Sequence, residues 1–284
     1  MTGDTLGQVH LSVIIPAYNE ERRIGSTLER IIQYLSQKPW SWEILVVIDG
    51  SRDSTAEVVR TAGAGAGPEQ LRILDNDVNR GKGFCVRRGM LESRGAFRLF
   101  SDADLSTPIE EVDRLLEALE AGHDVAIASR GLPESDVRVR QAKWRQSMGR
   151  VFNWFVQRLA VPGIQDTQCG FKLFTADAAR RLFTRQRIEQ FGFDVEILWN
   201  ARKLDYRIAE LPVVWINDPQ SKVNPITDST RMLVDLLRIR YWDHKGRYGQ
   251  PGLTPGRIRP TAPTSLEHDL GLDVPRASTP TRKI

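Results

Sequence analysis

Short apolar runs alternate with amphipathic stretches through the first half of the chain. Runs that favour buried β-strands cover residues 11–15, 43–48, 71–74, 97–100 and 125–128. Between them, apolar residues at helical spacing predict helices over residues 22–35, from Asp53 onward, and over 84–93 and 109–121. This rhythm is typical of an α/β protein in which a mostly parallel central sheet has flanking helices on both faces. In such sheets the ligand lies at the carboxyl ends of the strands.

The second half of the chain has a more mixed pattern. It predicts helices over residues 143–161, 177–183, 195–204 and 228–241, and one more strand over 207–216. From about residue 249 the sequence is rich in Pro, Thr, Gly and Arg and poor in large apolar groups. Such a segment cannot bury enough surface to order itself. We therefore expect one folded domain at residues 1–248 and a disordered tail at 249–284.

Composition and charge narrow the choice of partners. Hydrophobic residues make up 40% of the chain, enough for a sizeable core, and the net charge is +4. A mildly basic protein suits a phosphate, an anionic membrane or a nucleic acid, and with no nucleic-acid-binding motif we expect no nucleic-acid partner. Cys85 and Cys169 have neither paired nor metal-ligand spacing, so we expect reduced, buried thiols in a cytosolic protein.

The chain shows no signal for secretion or for a membrane span. Met1 to Asp4 is followed by no basic segment and no long apolar stretch. No window reaches the roughly 18 apolar residues that a spanning helix needs. We therefore expect a peripheral protein that meets a membrane, if at all, from its cytoplasmic face.

The strongest local signal is a pair of acids, Asp102 and Asp104, directly after the apolar run that ends at Phe100. Two carboxylates one residue apart at a strand end can share a hard divalent cation such as Mg²⁺ or Mn²⁺. A cation there would also bind a diphosphate and neutralise charge as that group leaves. The alternative for an isolated Asp-x-Asp is a loop with two solvated acids.

Polar loops follow other strands of the predicted sheet as well. They cover residues 16–21, 49–55 and 79–83. Each could be a simple turn or helix cap, but each also carries chemistry. Tyr18 could stack on a base, Asp49 could accept a hydrogen bond from a ring N–H, and Lys82 supplies positive charge for phosphate. Gly81 and Gly83 would let the backbone approach a ligand closely.

Together these loops and the acidic pair resemble a family 2 glycosyltransferase of the GT-A, Rossmann-like fold, over residues 11–241. Four segments narrow the resemblance to the branch that glycosylates dolichyl phosphate: residues 79–83, 102–108, 128–130 and 166–172. Within that branch, residues 105–107 and 168–172 are closer to the glucosyl than to the mannosyl members. The resemblance implies inverting transfer of a sugar, glucose in the first place, from a uridine diphosphate donor to a polyprenyl phosphate.

The resemblance also assigns roles by position in the family's motifs. The implied donor-binding residues are Pro16, Ala17, Tyr18, Glu20, Asp49, Asn79, Gly81 and Lys82. Asp104 would be the main metal ligand, and Asp102 would face the metal or the ribose. Two features depart from the family: Ile48 stands where members often have a second acid, and the membrane span that dolichyl-phosphate glucosyltransferases usually carry is missing.

The acceptor decides whether the enzyme needs a general base. A phosphate monoester is largely dianionic near neutral pH and can attack without one, whereas a hydroxyl must lose its proton. The implied acceptor-binding residues are Arg130 first, then Arg145, Ser147 and Lys172, while Asp166 is a substrate-binding residue and also a base candidate. For a hydroxyl acceptor, Asp194 or Glu196 would be the base. The alternative for these residues is a solvated cation or an acid at a helix N-terminus.

Aromatic and basic side chains mix within residues 143–161 and 228–245, as in helices that lie on a bilayer surface. Both helices could instead pack on the sheet, and a membrane-protein partner could also hold the enzyme at the membrane. Transfer to a glycan hydroxyl, and a non-catalytic protein that binds nucleotide-sugars, remain alternative functions. A nucleotidyltransferase is disfavoured because no glycine-rich triphosphate loop follows the first strand. The sugar remains open among glucose, N-acetylgalactosamine, galactose and mannose.

Overall fold

The computed structural model describes residues 9–138, 153–216 and 225–249. Its strands are β1 (Leu11–Ala17), β2 (Trp42–Asp49), β3 (Leu71–Asn76), β4 (Phe97–Ser101), β5 (Val125–Ser129), β6 (Asp136–Val137), β7 (Phe171–Thr175), β8 (Ile208–Pro212) and β9 (Val214–Trp215). Its helices are α1 (Ile24–Leu35), α2 (Thr55–Ala62), α3 (Lys82–Glu92), α4 (Val112–Glu120), α5 (153–159), α6 (Ala176–Arg185), α7 (Phe193–Lys203) and α8 (Pro225–His244).

One seven-stranded sheet organises these elements, in the order β3-β2-β1-β4-β7-β5-β8. Neighbouring strands are parallel except β7, which lies antiparallel between β4 and β5. The two short strands β6 and β9 form a separate parallel pair. The sheet is therefore mostly parallel, as the sequence predicts, and the carboxyl ends of β1, β2, β4 and β5 meet at one edge.

Alternating side chains of each central strand enter two separate cores, one on each face of the sheet. Ile14 of β1 packs in one core, whereas Val13 and Ile15 pack in the other. All eight residues of β2 are buried, which is why its sequence is a continuous apolar run rather than an alternating one. Helices α1 and α4 cover one face, and α3, α6 and α7 cover the other.

The predicted strands and helices are present in the described ranges, with ends shifted by a few residues. The strand predicted over 207–216 is split into β8 and β9 around Val213. Strand β7 was not predicted, because the buried Lys172 interrupts its apolar run. The prediction of a helix over 143–161 is described only from residue 153 onward, and residues 250–284 lie outside the described ranges. None of the helices in the described ranges combines the length and the apolar sequence that a membrane span requires.

Candidate active site

The loops after β1 and β2 are fastened to each other at the carboxyl edge of the sheet. The backbone N–H of Asn19 donates to Ser51 Oγ at 3.0 Å, and the Asn19 side chain accepts from the backbone of Arg52 at 2.8 Å. The backbone N–H of Glu20 donates to Thr55 Oγ1 at 2.7 Å. These bonds fix both loops as one rigid side of a cleft.

The cleft has a volume of about 440 Å³ and opens between the ends of β1, β2 and β3. Its lining residues are Tyr18, Gly50, Ser51, Arg52, Asp75, Asn76, Asp77, Val78 and Asn79. The volume is in the range of small-molecule sites, and its aromatic and polar lining suits a nucleoside. Tyr18 and Asn79 were predicted as donor-binding residues, whereas residues 75–78 were not, because no motif marks the end of β3.

Three other predicted donor residues lie behind the cleft rather than in its lining. Pro16 and Ala17 are the last residues of β1, and the side chain of Glu20 is bonded to Arg23. Asp49 is also buried, and its carboxylate accepts hydrogen bonds from the protein itself. The predicted contact of Asp49 with a base therefore stays a prediction, and its described contacts are internal.

Asp49 fixes the turn that leads into α3. Its carboxylate accepts from Asn76 Nδ2 at 3.0 Å and from the backbone N–H groups of Arg80 and Gly81 at 2.8 and 2.7 Å. A carboxylate that holds two successive backbone N–H groups sets the path of the turn. That path places Lys82, the first residue of α3, beside the acidic pair.

The glycines of this turn lie in close contact with protein backbone, and their expected close approach to a ligand stays a prediction. Gly81 has φ of 108°, and a Cβ there would lie 2.5 Å from Glu189 O. A Cβ on Gly83 would lie 2.8 Å from Ile188 O. The segment 186–191 therefore packs directly on the N-terminus of α3, and Phe84 N donates to Glu189 O at 3.1 Å.

The acidic pair forms a tight turn after β4. Leu105 has a positive φ of 48°, and Ser106 N donates to Asp104 Oδ1 at 3.0 Å. From α1, Thr27 Oγ1 donates to Ala103 O at 2.8 Å, which anchors the turn to the sheet's helical layer. Burial raises the pKa of Asp104, and the charge of Asp102 raises it further. A bound cation would relieve the repulsion between these two carboxylates.

Lys82 forms an ion pair with the same turn, with Nζ 2.7 Å from Asp102 Oδ1. Burial alone would lower the pKa of Lys82, but the charges of Asp102 and Asp194 outweigh this and raise it. Lys82 therefore keeps its positive charge beside Asp102.

The donor set fits a hard divalent cation. Asp102 and Asp104 offer carboxylate oxygens at a strand end, the ligands that Mg²⁺ and Mn²⁺ prefer. Among the described residues there is no group of three or more His, Cys, Asp or Glu that could hold a metal. The two carboxylates would thus need a diphosphate and water as further ligands, and the metal would supply charge neutralisation for the leaving group.

Gly170 sets the position of Asp102, and we expect Gly170→Ala to lower kcat by about 100-fold, since such losses follow small displacements. The backbone N–H of Asp102 donates to Gly170 O at 3.0 Å, and a Cβ on Gly170 would lie 2.0 Å from Asp102 Oδ2. Gly65→Ala is the control, because nothing lies within 4 Å of its added Cβ. Steady-state turnover of the two variants, with circular dichroism to compare folding, checks this. Equal turnover would contradict it.

Arg130 and Asp166 form a bidentate ion pair at the ends of β5 and the 161–170 loop. The distances are 2.6 Å from Nε to Oδ2 and 2.9 Å from Nη2 to Oδ1. The guanidinium carbon also lies 5.3 Å from the ring centre of Trp215. Glu210 holds the loop by accepting from the backbone N–H of Asp166 at 2.8 Å. Arg130, the predicted phosphate-gripping residue, is thus fixed in orientation before any acceptor binds.

This pair predicts a loss of stability in acid. Burial alone would raise the pKa of Asp166, but the charge and hydrogen bonds of Arg130 hold it at about 2, below the ordinary 3.8. Protonation breaks the pair, so a contribution of about 2 kcal/mol is present above pH ~4 and is lost as the pH falls toward ~2. Urea unfolding at pH 6 and pH 3 should show that Asp166→Asn loses less stability on acidification than wild type. An equal loss in both would contradict this.

Lys172 and Asp194 form a second, deeper pair. They are 1% and 4% exposed, and Lys172 Nζ donates to Asp194 Oδ1 and to Cys169 O, each at 2.5 Å. The described contacts of Lys172 are internal, and its predicted acceptor-binding role stays a prediction. Cys169 and Cys85 are buried free thiols, as expected.

Glu196, the other base candidate, holds internal structure together. Its carboxylate accepts from the backbone N–H groups of Arg187 and Ile188, at 3.1 and 2.8 Å, and from Tyr248 Oη at 2.7 Å. Burial raises its pKa, while these hydrogen bonds oppose the rise. Arg145 and Ser147, the remaining predicted acceptor residues, lie outside the described residues.

A mostly parallel sheet that gathers a nucleoside-sized cleft, a lysine and an acidic pair at its strand ends is the arrangement of a glycosyltransferase of the GT-A fold. The family model named Glycosyl transferase family 2 matches residues 12–183, and the chain belongs to this family. The resemblance to its dolichyl-phosphate glucosyltransferase branch is confirmed by the relatives described next.

The dolichyl-phosphate beta-glucosyltransferase of Dictyostelium discoideum is 41% identical over 246 residues, covering 83% of this chain and 75% of the relative. That of Drosophila melanogaster is 40% identical over 242 residues, covering 81% and 74%. Among solved structures, glucosyl-3-phosphoglycerate synthase from Mycobacterium tuberculosis, in complex with Mn²⁺, uridine-diphosphate-glucose and glycerol 3-phosphate, has a TM-score of 0.61 at 19% identity. The match covers 86% of this chain and 82% of that one, and it supports the fold.

Proposed function

We propose that this glycosyltransferase moves glucose, with inversion, from UDP-glucose to a polyprenyl phosphate at the cytoplasmic face of a membrane. The observation that carries the proposal is that the two acids expected to act as a base, Asp194 and Glu196, are both held by internal hydrogen bonds. Asp194 is the counter-ion of Lys172, and Glu196 is bonded to two backbone N–H groups and Tyr248. An acceptor that brings its own negative charge needs neither of them, and a phosphate monoester is such an acceptor.

The chain's own residues would then bind, orient and screen the two anionic substrates. The cleft beside Tyr18 would take the uridine, and Lys82 with the acidic pair and its divalent cation would take the diphosphate. Arg130, held by Asp166, would neutralise the acceptor phosphate as it nears the anomeric carbon. Support for the donor comes from the Mycobacterium tuberculosis neighbour, solved with Mn²⁺ and uridine-diphosphate-glucose, and support for the acceptor from the dolichyl-phosphate glucosyltransferases.

The surface of α8 supports the membrane part of the proposal. Val234, Leu237 and Tyr241 are 44%, 62% and 53% exposed and follow one another at helical spacing, so they form one apolar stripe. At 100° per residue, basic side chains flank the stripe on both sides. They are Arg231 and Arg238 on one side and Arg240 on the other, and Lys245 directly follows the end of the helix. Apolar groups between cations suit a bilayer that contains anionic lipids.

Helix α8 also lies on the acceptor side of the site. Gln168 Nε2 is 2.8 Å from Met232 Sδ, and a Cβ on Gly192 would lie 2.5 Å from Asp235 Oδ2. Gln168 follows the Arg130-binding Asp166, and Gly192 precedes Asp194. A lipid phosphate at the surface on which α8 rests would thus have a short way to Arg130.

The double variant Leu237→Glu/Tyr241→Glu is expected to abolish co-sedimentation with phosphatidylglycerol-containing vesicles, because it puts two negative charges in the apolar stripe. Leu91→Glu, at a 39% exposed leucine on α3, is the control and should sediment like wild type. Phosphatidylcholine vesicles should bind all proteins weakly. If the double variant sediments as wild type does, α8 is not the membrane-facing surface.

Transfer of radiolabelled sugar tests the function itself. Short polyprenyl phosphates are incubated with a panel of UDP- and GDP-sugars, with and without Mn²⁺ or Mg²⁺, and the label in the organic phase is counted. We expect labelling from UDP-glucose, dependent on the metal, and none with the polyprenyl alcohol, which lacks the phosphate. Label confined to water-soluble products would refute the lipid-phosphate acceptor and favour a hydroxyl acceptor.

A further inference from the structure

Lys82 stands where a cation would have to approach Asp102. Its ammonium lies 2.7 Å from Asp102 Oδ1. It also lies over two aromatic rings, 5.1 Å from the ring centre of Phe100 and 6.0 Å from that of Phe191. The side chain of Lys82 is 21% exposed and that of Asp102 is 32% exposed. This ion pair therefore lies at the mouth of the site, within reach of ligands.

The opposite side of the Asp102 carboxylate is closed by backbone. A Cβ on Gly170 would lie 2.0 Å from Oδ2 and 2.6 Å from Oδ1, so Gly170 is in close contact with the whole group. With Gly170 behind it and Lys82 in front, Asp102 has little room to turn away from the lysine. A divalent cation that came alone would meet the ammonium charge at the oxygen it needs.

A bound donor would offer the ammonium of Lys82 a second anion, the diphosphate, in place of Asp102. It is the first residue of α3, an eleven-residue helix whose N-terminus favours negative charge, and it follows the turn that borders the nucleoside cleft. The lysine stem is long and flexible, so its ammonium can move from one anion to another without backbone change. A diphosphate beside this helix end would offer it that second anion.

We infer that Lys82 is a built-in counter-ion, which holds Asp102 in the donor-free protein and leaves it for the donor diphosphate, so that the divalent cation binds with the nucleotide-sugar rather than before it. This rests on the proposed function, since it presupposes a nucleoside diphosphate donor and a divalent cation. It adds an order of binding, and it assigns Lys82 a positioning role toward Asp102 besides its contact with phosphate.

Mn²⁺ binding tests the inference without any turnover. Free Mn²⁺ is measured by electron paramagnetic resonance in titrations of wild type, Lys82→Gln, Lys82→Arg and Arg87→Gln, each with and without UDP. Arg87→Gln removes a charge from the same helix, but Arg87 donates to Phe183 O, away from the acids. Thermal melting confirms that each variant is folded.

In wild type we expect UDP to tighten Mn²⁺ binding by about tenfold or more, a usual coupling between two ligands. Without UDP, Lys82→Gln should bind Mn²⁺ about tenfold more tightly than wild type does. Adding UDP should then raise the Mn²⁺ affinity of this variant only slightly. Lys82→Arg keeps the charge and should resemble wild type, as should Arg87→Gln.

Two outcomes overturn the inference and separate it from the proposed function. If wild type binds Mn²⁺ together with UDP but Lys82→Gln has unchanged or weaker affinity for Mn²⁺ alone, the counter-ion role fails while the metal-dependent donor site stands. If wild type binds no Mn²⁺ even with UDP, the metal dependence fails and the inference fails with it.

Discussion

Asp104→Asn is expected to lower kcat of sugar transfer by about a thousandfold, the loss that follows removal of one charge-stabilising group from a closed site. Asp104 is the part-buried second acid of the pair, and its pKa is raised by partial burial and by the charge of Asp102. A neutral amide there can no longer share a divalent cation with Asp102. Turnover of UDP-glucose with and without Mn²⁺ measures the loss, and the residual activity should no longer depend on the metal.

The same variant should not be less stable than wild type. A raised pKa means that the folded protein disfavours the charged form of Asp104, so an uncharged isostere removes a repulsion at neutral pH. A protein that is inactive yet melts at the same or a higher temperature shows that the acid serves function rather than folding. Asp177→Asn, at an exposed acid on α6, is the control and should stay active. An Asp104→Asn enzyme with near-normal, metal-dependent turnover would contradict the assigned role.

The sheet could be predicted from sequence to the extent that its strands are buried on both faces. A strand such as β2, with every residue buried, has an almost continuous apolar sequence, and short apolar runs predict five of the six parallel strands. Strand β7 could not be found in this way. Lys172 is its second residue, and the tertiary partner Asp194 is what makes a charge acceptable there.

The candidate site, like the sheet, could be predicted from sequence only in part. Lys82, Asp102 and Asp104 could be predicted together, because carboxyl ends of parallel strands meet at one edge. The partners of the base candidates could not. Glu196 is bonded to Tyr248, 52 residues later, and no local pattern connects them. Sequence can place such an acid at the start of a helix, but only the fold shows that its carboxylate already accepts hydrogen bonds from other parts of the protein.

Breaking the buried pair of Lys172 and Asp194 is expected to cost about 3–5 kcal/mol, because either single change leaves an uncompensated charge in the core. Lys172→Met and Asp194→Asn should each show this loss of unfolding free energy in urea. The double variant should recover most of it, because no charge is then left unpaired. Removing the part-exposed pair of Lys203 and Asp243, 2.8 Å apart, is the matched control and should cost less than about 1 kcal/mol.

The double variant also decides between the two classes of acceptor. If a polyprenyl phosphate attacks as a dianion, Asp194 takes no proton, so the folded double variant should transfer glucose within about tenfold of wild type. If a hydroxyl were the acceptor and Asp194 its base, the loss would be about 10²–10⁴-fold and would persist however well the protein folded. Stability that recovers without activity would therefore refute the phosphate-acceptor mechanism, whereas recovery of both would show that Asp194 serves Lys172 and the fold.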